Sequence, residues 1–101
     1  MQKPSQLAIE FESALREAAQ LCIKKYRYRP TYFLSMLGEI GGVATAKTLL
    51  AKPVPSEGFT RLVVDYNRPD LTVEHQVLEP KYQELFNPDE LAKARRWLGR
   101  K

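Results

Sequence analysis

The chain has 101 residues, of which 44% are hydrophobic and 28% charged, and its formal net charge is +4. This length supports one hydrophobic core and is too short for two independently stable domains, while the apolar fraction argues against general disorder. The longest apolar runs fall far short of a membrane span, and the first residues lack the basic-then-apolar order of a signal peptide. We therefore expect one soluble, cytoplasmic domain with no membrane contact.

Cys22 is the only cysteine in the chain. A single thiol excludes an intrachain disulfide and a multi-cysteine zinc site, and it fits a reducing compartment. Because Cys22 lies on the apolar side of a predicted helix, we interpret it as a small core residue.

The charges are unevenly distributed along the chain. A first basic cluster carries four positive charges and no negative one: Lys24, Lys25, Arg27 and Arg29. Residues 61–92 form an acidic middle with three basic and seven acidic residues, a net charge of −4. A C-terminal basic cluster follows: Lys93, Arg95, Arg96, Arg100 and Lys101. This order indicates either intramolecular ion pairing or a surface with two basic poles.

The first predicted helix runs from Ser5, a favourable N-cap residue, to about residue 28. Its apolar side chains recur at spacings of three and four and make one stripe: Leu7, Phe11, Ala14, Leu15, Ala18, Leu21, Cys22 and Tyr26. Pro30 disfavours the α conformation at Arg29 and therefore ends this helix.

Two further helices are predicted on either side of Gly41 and Gly42. Thr31 is the expected N-cap of the first, and Gly41 suits the left-handed position after its last turn, where a side chain would be strained. The second begins at Val43 and is stopped by Pro53. We expect this glycine corner to turn the apolar stripes of the helices into a common interior.

The second half of the chain predicts short helices separated by prolines. Ser56 can cap a helix over residues 57–66, with a strand over residues 62–64 as the alternative because this run is rich in β-branched residues. Asp70 is the expected cap of a fifth helix, and one more apolar turn follows Pro80.

The clearest helix start lies at residues 87–90, Asn-Pro-Asp-Glu. It combines a cap residue, proline at the first helical position and a glutamate placed for a capping box. Gly99 can end this last helix. Residues 1–101 are thus predicted to form an all-α, single-domain bundle of about five to six helices, in which a long N-terminal helix precedes shorter ones.

From about Tyr26 to Leu98 the chain resembles a group of small bacterial proteins of uncharacterised function. The shared positions are Gly41, Gly42, Ala46, Leu49, Leu50, Pro55 to Thr60, Leu62, Asp70 to Glu74, Val77, Leu78, Pro80, Tyr82, Leu85, Phe86, Ala94 and Leu98. The resemblance implies a shared fold and transfers no site residue. Residues 64–67 depart from the pattern, which has a more polar turn with a glycine there, so the fourth helix is expected to end differently.

The segment from Lys24 to Phe33 interleaves basic and aromatic residues and is the best candidate for nucleic-acid contact. Lysine and arginine neutralise phosphates, and an exposed tyrosine offers a stacking face to an unpaired base. The candidate residues are Lys24, Lys25, Arg27, Tyr28, Arg29, Arg95, Arg96 and Arg100. The alternative is that these cations only stabilise the C-terminal ends of two helices.

No catalytic constellation is evident in the sequence. His75 has no second histidine or cysteine at a metal-ligand spacing, so we interpret it as a surface residue. A hydrolase is disfavoured because no nucleophile and base are placed as a pair. We expect no cofactor, no metal and no enzymatic activity.

Two functions remain. The first is a non-enzymatic helical adaptor or regulatory protein that binds a protein partner, oriented by its charges and by an acidic face. The residues of this face are Asp65, Asp70, Glu74, Glu79 and Glu84. The second is an accessory protein that contacts the phosphate backbone of a nucleic acid through the two basic clusters.

Overall fold

The computed structural model describes residues 5–99, and every regular element in that range is helical. The elements are α1 (Gln6–Tyr26), α2 (Thr31–Leu50), α3 (Glu57–Thr60) with a π turn (Arg61–Asp65), a 3-10 turn (Pro69–Leu71), α4 (Val73–Val77), a second 3-10 turn (Pro80–Leu85) and α5 (Pro88–Trp97). The predicted all-α fold is confirmed, and the alternative strand at residues 62–64 is replaced by the π turn. None of the helices between residues 5 and 99 is long and apolar enough to cross a membrane.

Helix α1 begins where the sequence predicts and ends slightly earlier. The Ser5 hydroxyl accepts a hydrogen bond from the Ala8 N–H at 3.0 Å, which confirms the N-cap. The helix stops at Tyr26 because Arg27 adopts a left-handed conformation, with φ 54° and ψ 27°. The N–H groups of Arg27 and Tyr28 then bond to carbonyls in the last turn, which satisfies acceptors that the helix end would leave free.

The glycine corner is a kink within one element, α2. Gly41 has φ 83° and ψ 172°, a conformation that only glycine adopts readily, so the prediction of a positive φ is confirmed although the residue is not in the left-handed helical region. At Gly42 the two long helices meet, since its N–H donates to Glu12 Oε1 at 2.9 Å. Thr31 is the first helical residue and not the cap, because Pro30 occupies the N-cap position.

The core lies between α1, α2 and the C-terminal half of the chain. Its buried members are Phe11, Leu15, Leu37, Ala46, Leu50, Val77, Tyr82, Phe86 and Ala94. The Phe11 ring packs edge-on against Tyr82 and Phe86, with ring centroids 5.2 and 5.3 Å away. These contacts join residues far apart in sequence, so α1 is the element on which the short helices assemble.

The start of α4 differs from the prediction. Thr72 caps this helix by accepting the His75 N–H at 3.1 Å, whereas Asp70 lies in the preceding 3-10 turn and bonds to Arg68. The helix therefore begins two residues later than an Asp70 cap would place it. Glu74 and Val77, three residues apart, share the face that α4 turns into the protein.

Helix α5 begins with the predicted capping box. Asn87 accepts the Glu90 N–H at 2.8 Å, and the Glu90 carboxylate accepts the Asn87 N–H at 2.9 Å. Glu90 also pairs with Lys47 of α2 at 2.7 Å, which ties the last helix to the second. Gly99 follows at φ 72°, as expected for the residue that ends the helix.

Candidate functional site

A cavity of about 290 Å³ opens between the turn joining α1 to α2 and the segment that leads into α3. This volume lies at the lower end of the range of small-molecule pockets, roughly 300 to 1,000 Å³. The buried part of its wall is largely apolar and includes Leu15, Phe59 and Leu62. Four of its lining residues are exposed, and we refer to three of them, Arg29, Tyr32 and Glu57, as the rim; the fourth is Thr31.

The inner wall of this cavity carries an acidic residue, Glu74. Its side chain is only 2% exposed, and its Oε2 atom has no hydrogen-bond partner among residues 5–99. Burial raises the pKa of this carboxyl from 4.5 to about 7, an effect that a hydrogen bond from its own backbone opposes. The predicted place of Glu74 on an outward acidic face is therefore wrong.

The inward direction of Glu74 follows from the register of α4. Leu71 and Val77 lie three residues before and after it, so helical spacing already put Glu74 between two apolar positions. The charge of a glutamate predicts a surface position, whereas the apolar spacing on either side of Glu74 predicts an inward one. The spacing was the signal that could have found it.

Three of the other acidic candidates lie close to basic side chains of the same chain. The pairs are Arg61–Asp65 at 3.8 Å, Arg68–Asp70 at 2.9 Å and His75–Glu79 at 3.2 Å. The hydrogen bonds from Arg68 hold the pKa of Asp70 below its usual value. Asp70 and Glu79 line one shallow cleft against α1, and Asp65 and Glu74 do not. The structure thus does not join these residues into one acidic face.

The first basic cluster is exposed at the end of α1 and in the turn that follows it. None of the ion pairs between residues 5 and 99 joins Lys24, Lys25, Arg27 or Arg29 to the acidic middle. These cations therefore remain available to another molecule.

Tyr28 is less available than the cations around it. Its ring lies 6.2 Å from that of Tyr66, and the Arg61 guanidinium lies 5.6 Å from the Tyr28 centroid. Burial also raises the pKa of its phenol. The free aromatic face in this region belongs instead to Tyr32, whose side chain is 76% exposed. Tyr32 lies within the candidate segment from Lys24 to Phe33, although Tyr28 was the tyrosine expected to supply the stacking face.

Helix α3 lies near aromatic residues that neighbour the two basic clusters in sequence. The Trp97 ring at the end of α5 lies 6.4 Å from the Phe59 ring, and a Cβ atom on Gly58 would lie 3.6 Å from the Tyr28 hydroxyl. Tyr28 and Trp97, and not the cations beside them, are the residues near α3. Arg96 is exposed and Arg95 partly so, whereas Arg100 and Lys101 lie outside the described residues.

Cys22 lines the cavity and is 3% exposed, which confirms it as a core residue, and burial raises the pKa of its thiol. His75 Nε2 lies 3.2 Å from Oε1 of Glu79, which follows the end of α4. Within residues 5–99, no three His, Cys, Asp or Glu side chains are grouped as they would need to be to hold a metal ion.

No protein-family model, no curated protein and no solved structure matches this chain. The resemblance to a group of small bacterial proteins therefore stays a prediction.

Proposed function

We propose that this chain is a non-enzymatic adaptor that binds a protein partner at the rim of the cavity. The observation that carries the proposal is the 76% exposure of the Tyr32 ring at the edge of an apolar cavity. In protein interfaces, tyrosine and arginine contribute a large share of the binding energy, and they often lie beside a pocket that accepts a partner's side chain. Tyr32 and Arg29 meet this description.

The rim also carries charges of both signs, Arg29 and Glu57. Opposite charges on either side of a pocket orient a partner and disfavour wrong ones more than they add affinity. This rim replaces the acidic face as the proposed contact surface, because Glu74 is buried and the pairs of Asp65, Asp70 and Glu79 lie within the chain. The free thiol of Cys22 supports a cytoplasmic location for the adaptor.

Site-specific photo-crosslinking in the native cells tests this proposal. A photoreactive phenylalanine analogue at Tyr32 should give a discrete adduct with one partner protein. The matched control is the same analogue at Val64, which is 71% exposed and does not line the cavity. Tyr32→Ala should weaken binding of the partner so identified by roughly tenfold or more, as expected for an interface hot spot. The same adducts from both positions, or none from Tyr32, would contradict the proposal.

A second candidate function is contact with the phosphate backbone of a nucleic acid. Its supporting observation is that the first basic cluster is exposed and, within the described residues, forms no ion pair with the acidic middle. Four phosphate contacts predict that affinity falls about 100-fold between roughly 50 and 200 mM salt.

The test is a binding titration with generic DNA and RNA at several salt concentrations. Reversing Lys24, Lys25, Arg27 and Arg29 to glutamate should abolish binding. Lys81→Glu, a reversal outside both clusters, should leave binding nearly unchanged. If the wild-type protein does not bind at low salt, this candidate function is wrong.

A further inference from the structure

The unpartnered carboxylate oxygen in the wall of the cavity is the feature that the adaptor proposal leaves unused. Glu74 is almost fully buried, lines the cavity and has an Oε2 atom without a hydrogen-bond partner among the described residues. A buried carboxylate oxygen without a partner is unfavourable, because it loses its water and gains no hydrogen bond in exchange. A ligand that supplies the missing donor would therefore recover free energy at this atom.

We propose that the cavity binds a primary ammonium group on a short apolar stem, with the ammonium against Glu74 and the stem along the apolar wall. This inference rests on the proposed function and specifies its chemistry, since the inserted group of a protein partner would be a lysine side chain. A free alkylamine carries the same chemistry from a second source.

The charges around the cavity favour a cation over an anion. The only other full charges among its lining residues are Arg29 and Glu57, both exposed at the rim. No cation contributes to the pKa of Glu74, which is set by burial and by its own backbone. The chain thus places a negative charge in an apolar site without a counter-charge of its own, and a bound ammonium provides one.

The supply of acceptors favours an ammonium over a guanidinium. An arginine side chain brings five N–H donors, whereas a lysine brings three. Near Glu74, the Thr72 hydroxyl already donates to the Pro69 carbonyl at 2.7 Å and accepts the His75 N–H at 3.1 Å. Between these two side chains, only Glu74 therefore has an acceptor atom without a partner. One such carboxylate leaves more donors unsatisfied on a guanidinium than on a compact ammonium.

The pairing of an ammonium with Glu74 makes amine affinity rise with pH. An alkylamine stays charged throughout the neutral range, whereas Glu74, with a pKa of about 7, must lose its proton to pair with it. Amine affinity should therefore rise between about pH 6 and pH 8, and binding near pH 7 should release about half a proton from Glu74. The other titratable or charged groups facing the cavity are Cys22, Tyr28, Arg29, Tyr32 and Glu57, and His75 is the next residue on α4.

An NMR titration with n-hexylamine and n-hexanol tests the proposal. At about pH 8 the amine should bind wild-type protein at least tenfold more tightly than the alcohol, because it adds a charge-assisted hydrogen bond to the same apolar stem. Glu74→Gln should lower amine affinity to the level of the alcohol and remove its pH dependence. Glu84→Gln, which removes an exposed carboxylate that does not line the cavity, and His75→Gln beside Glu74 should keep both properties.

Equal affinity of amine and alcohol, or an amine affinity that Glu74→Gln does not change, would overturn the inference. Nα-acetyl-lysine methylamide separates the two sources: Glu74-dependent binding of this probe supports a partner's lysine, and binding of hexylamine alone supports a free amine. The adaptor proposal is tested independently, because the crosslink at Tyr32 and the effect of Tyr32→Ala do not require an ammonium in the cavity.

Discussion

Replacing Glu74 with glutamine should stabilise the folded protein by up to about 3 kcal/mol at about pH 8 and change its stability little near pH 4. Burial raises the pKa of this carboxyl from 4.5 to about 7 in the folded state. Below the lower value the group is protonated whether the chain is folded or unfolded. As the pH rises towards 7 the unfolded chain gains stability from ionising Glu74 and the folded chain does not, so the wild-type protein loses stability over this range.

The measurement is the midpoint of thermal or urea unfolding for both proteins at several pH values. For a domain of this size the difference at high pH corresponds to a shift in Tm of roughly 10 to 20 °C. Glu84→Gln changes an exposed carboxylate and is the matched control, for which the difference from wild type should be small and flat with pH. A flat difference for Glu74→Gln as well would show that its carboxyl is not desolvated.

Replacing Gly42 with alanine should destabilise the protein by about 1 to 3 kcal/mol, the usual penalty for forcing an extra methyl group into a packed site. A Cβ atom on Gly42 would lie 2.8 Å from Glu12 Cα and 2.9 Å from Glu12 Cβ. The obstacle is helix backbone and not the end of a flexible side chain, so α1 and α2 would have to separate. The hydrogen bond from the Gly42 N–H to Glu12 would lengthen with them.

Gly38→Ala is the matched control for this substitution. Gly38 lies in the same helix, and a Cβ atom there has no neighbour within 4 Å. Alanine should therefore stabilise the protein at this position by about 0.5 to 1 kcal/mol, because it restricts the unfolded chain more than glycine does. Urea unfolding compares the two variants directly, and two changes of the same sign would refute the close approach of α1 and α2 at Gly42.

The predictions for Glu74 connect stability with binding. A residue whose replacement stabilises the fold, and which lines a cavity, breaks the rule that buried polar groups are satisfied. Departures from that rule concentrate at functional sites, where stability is given up for an interaction with another molecule. The stability experiment and the amine titration therefore examine the same carboxylate in its free and bound states.

Local sequence signals predicted the helices and several of their ends. The cap at Ser5, the capping box at Asn87 and the positive φ values of Gly41 and Gly99 all depend on residues within a few positions of one another. Asn67 shows the same rule, since it takes φ 53°, a left-handed conformation that asparagine adopts more readily than most residues. Such features are fixed by short-range hydrogen bonding and sterics, which a sequence displays directly.

The sequence by itself determined the all-α class, the two basic clusters and most of the apolar stripe of α1, in which Leu21 is exposed. Only the tertiary structure decided that Glu74 lines a cavity, that Tyr32 and not Tyr28 is the free ring, and that Phe59 of α3 lies beside Trp97. The physical reason is distance along the chain: helix propensity and capping act over a few residues, whereas burial of a side chain depends on which remote elements pack over it. An acidic residue signals solvent exposure in a sequence, and only the packing of α1, α2 and α5 against α4 reversed that expectation for Glu74.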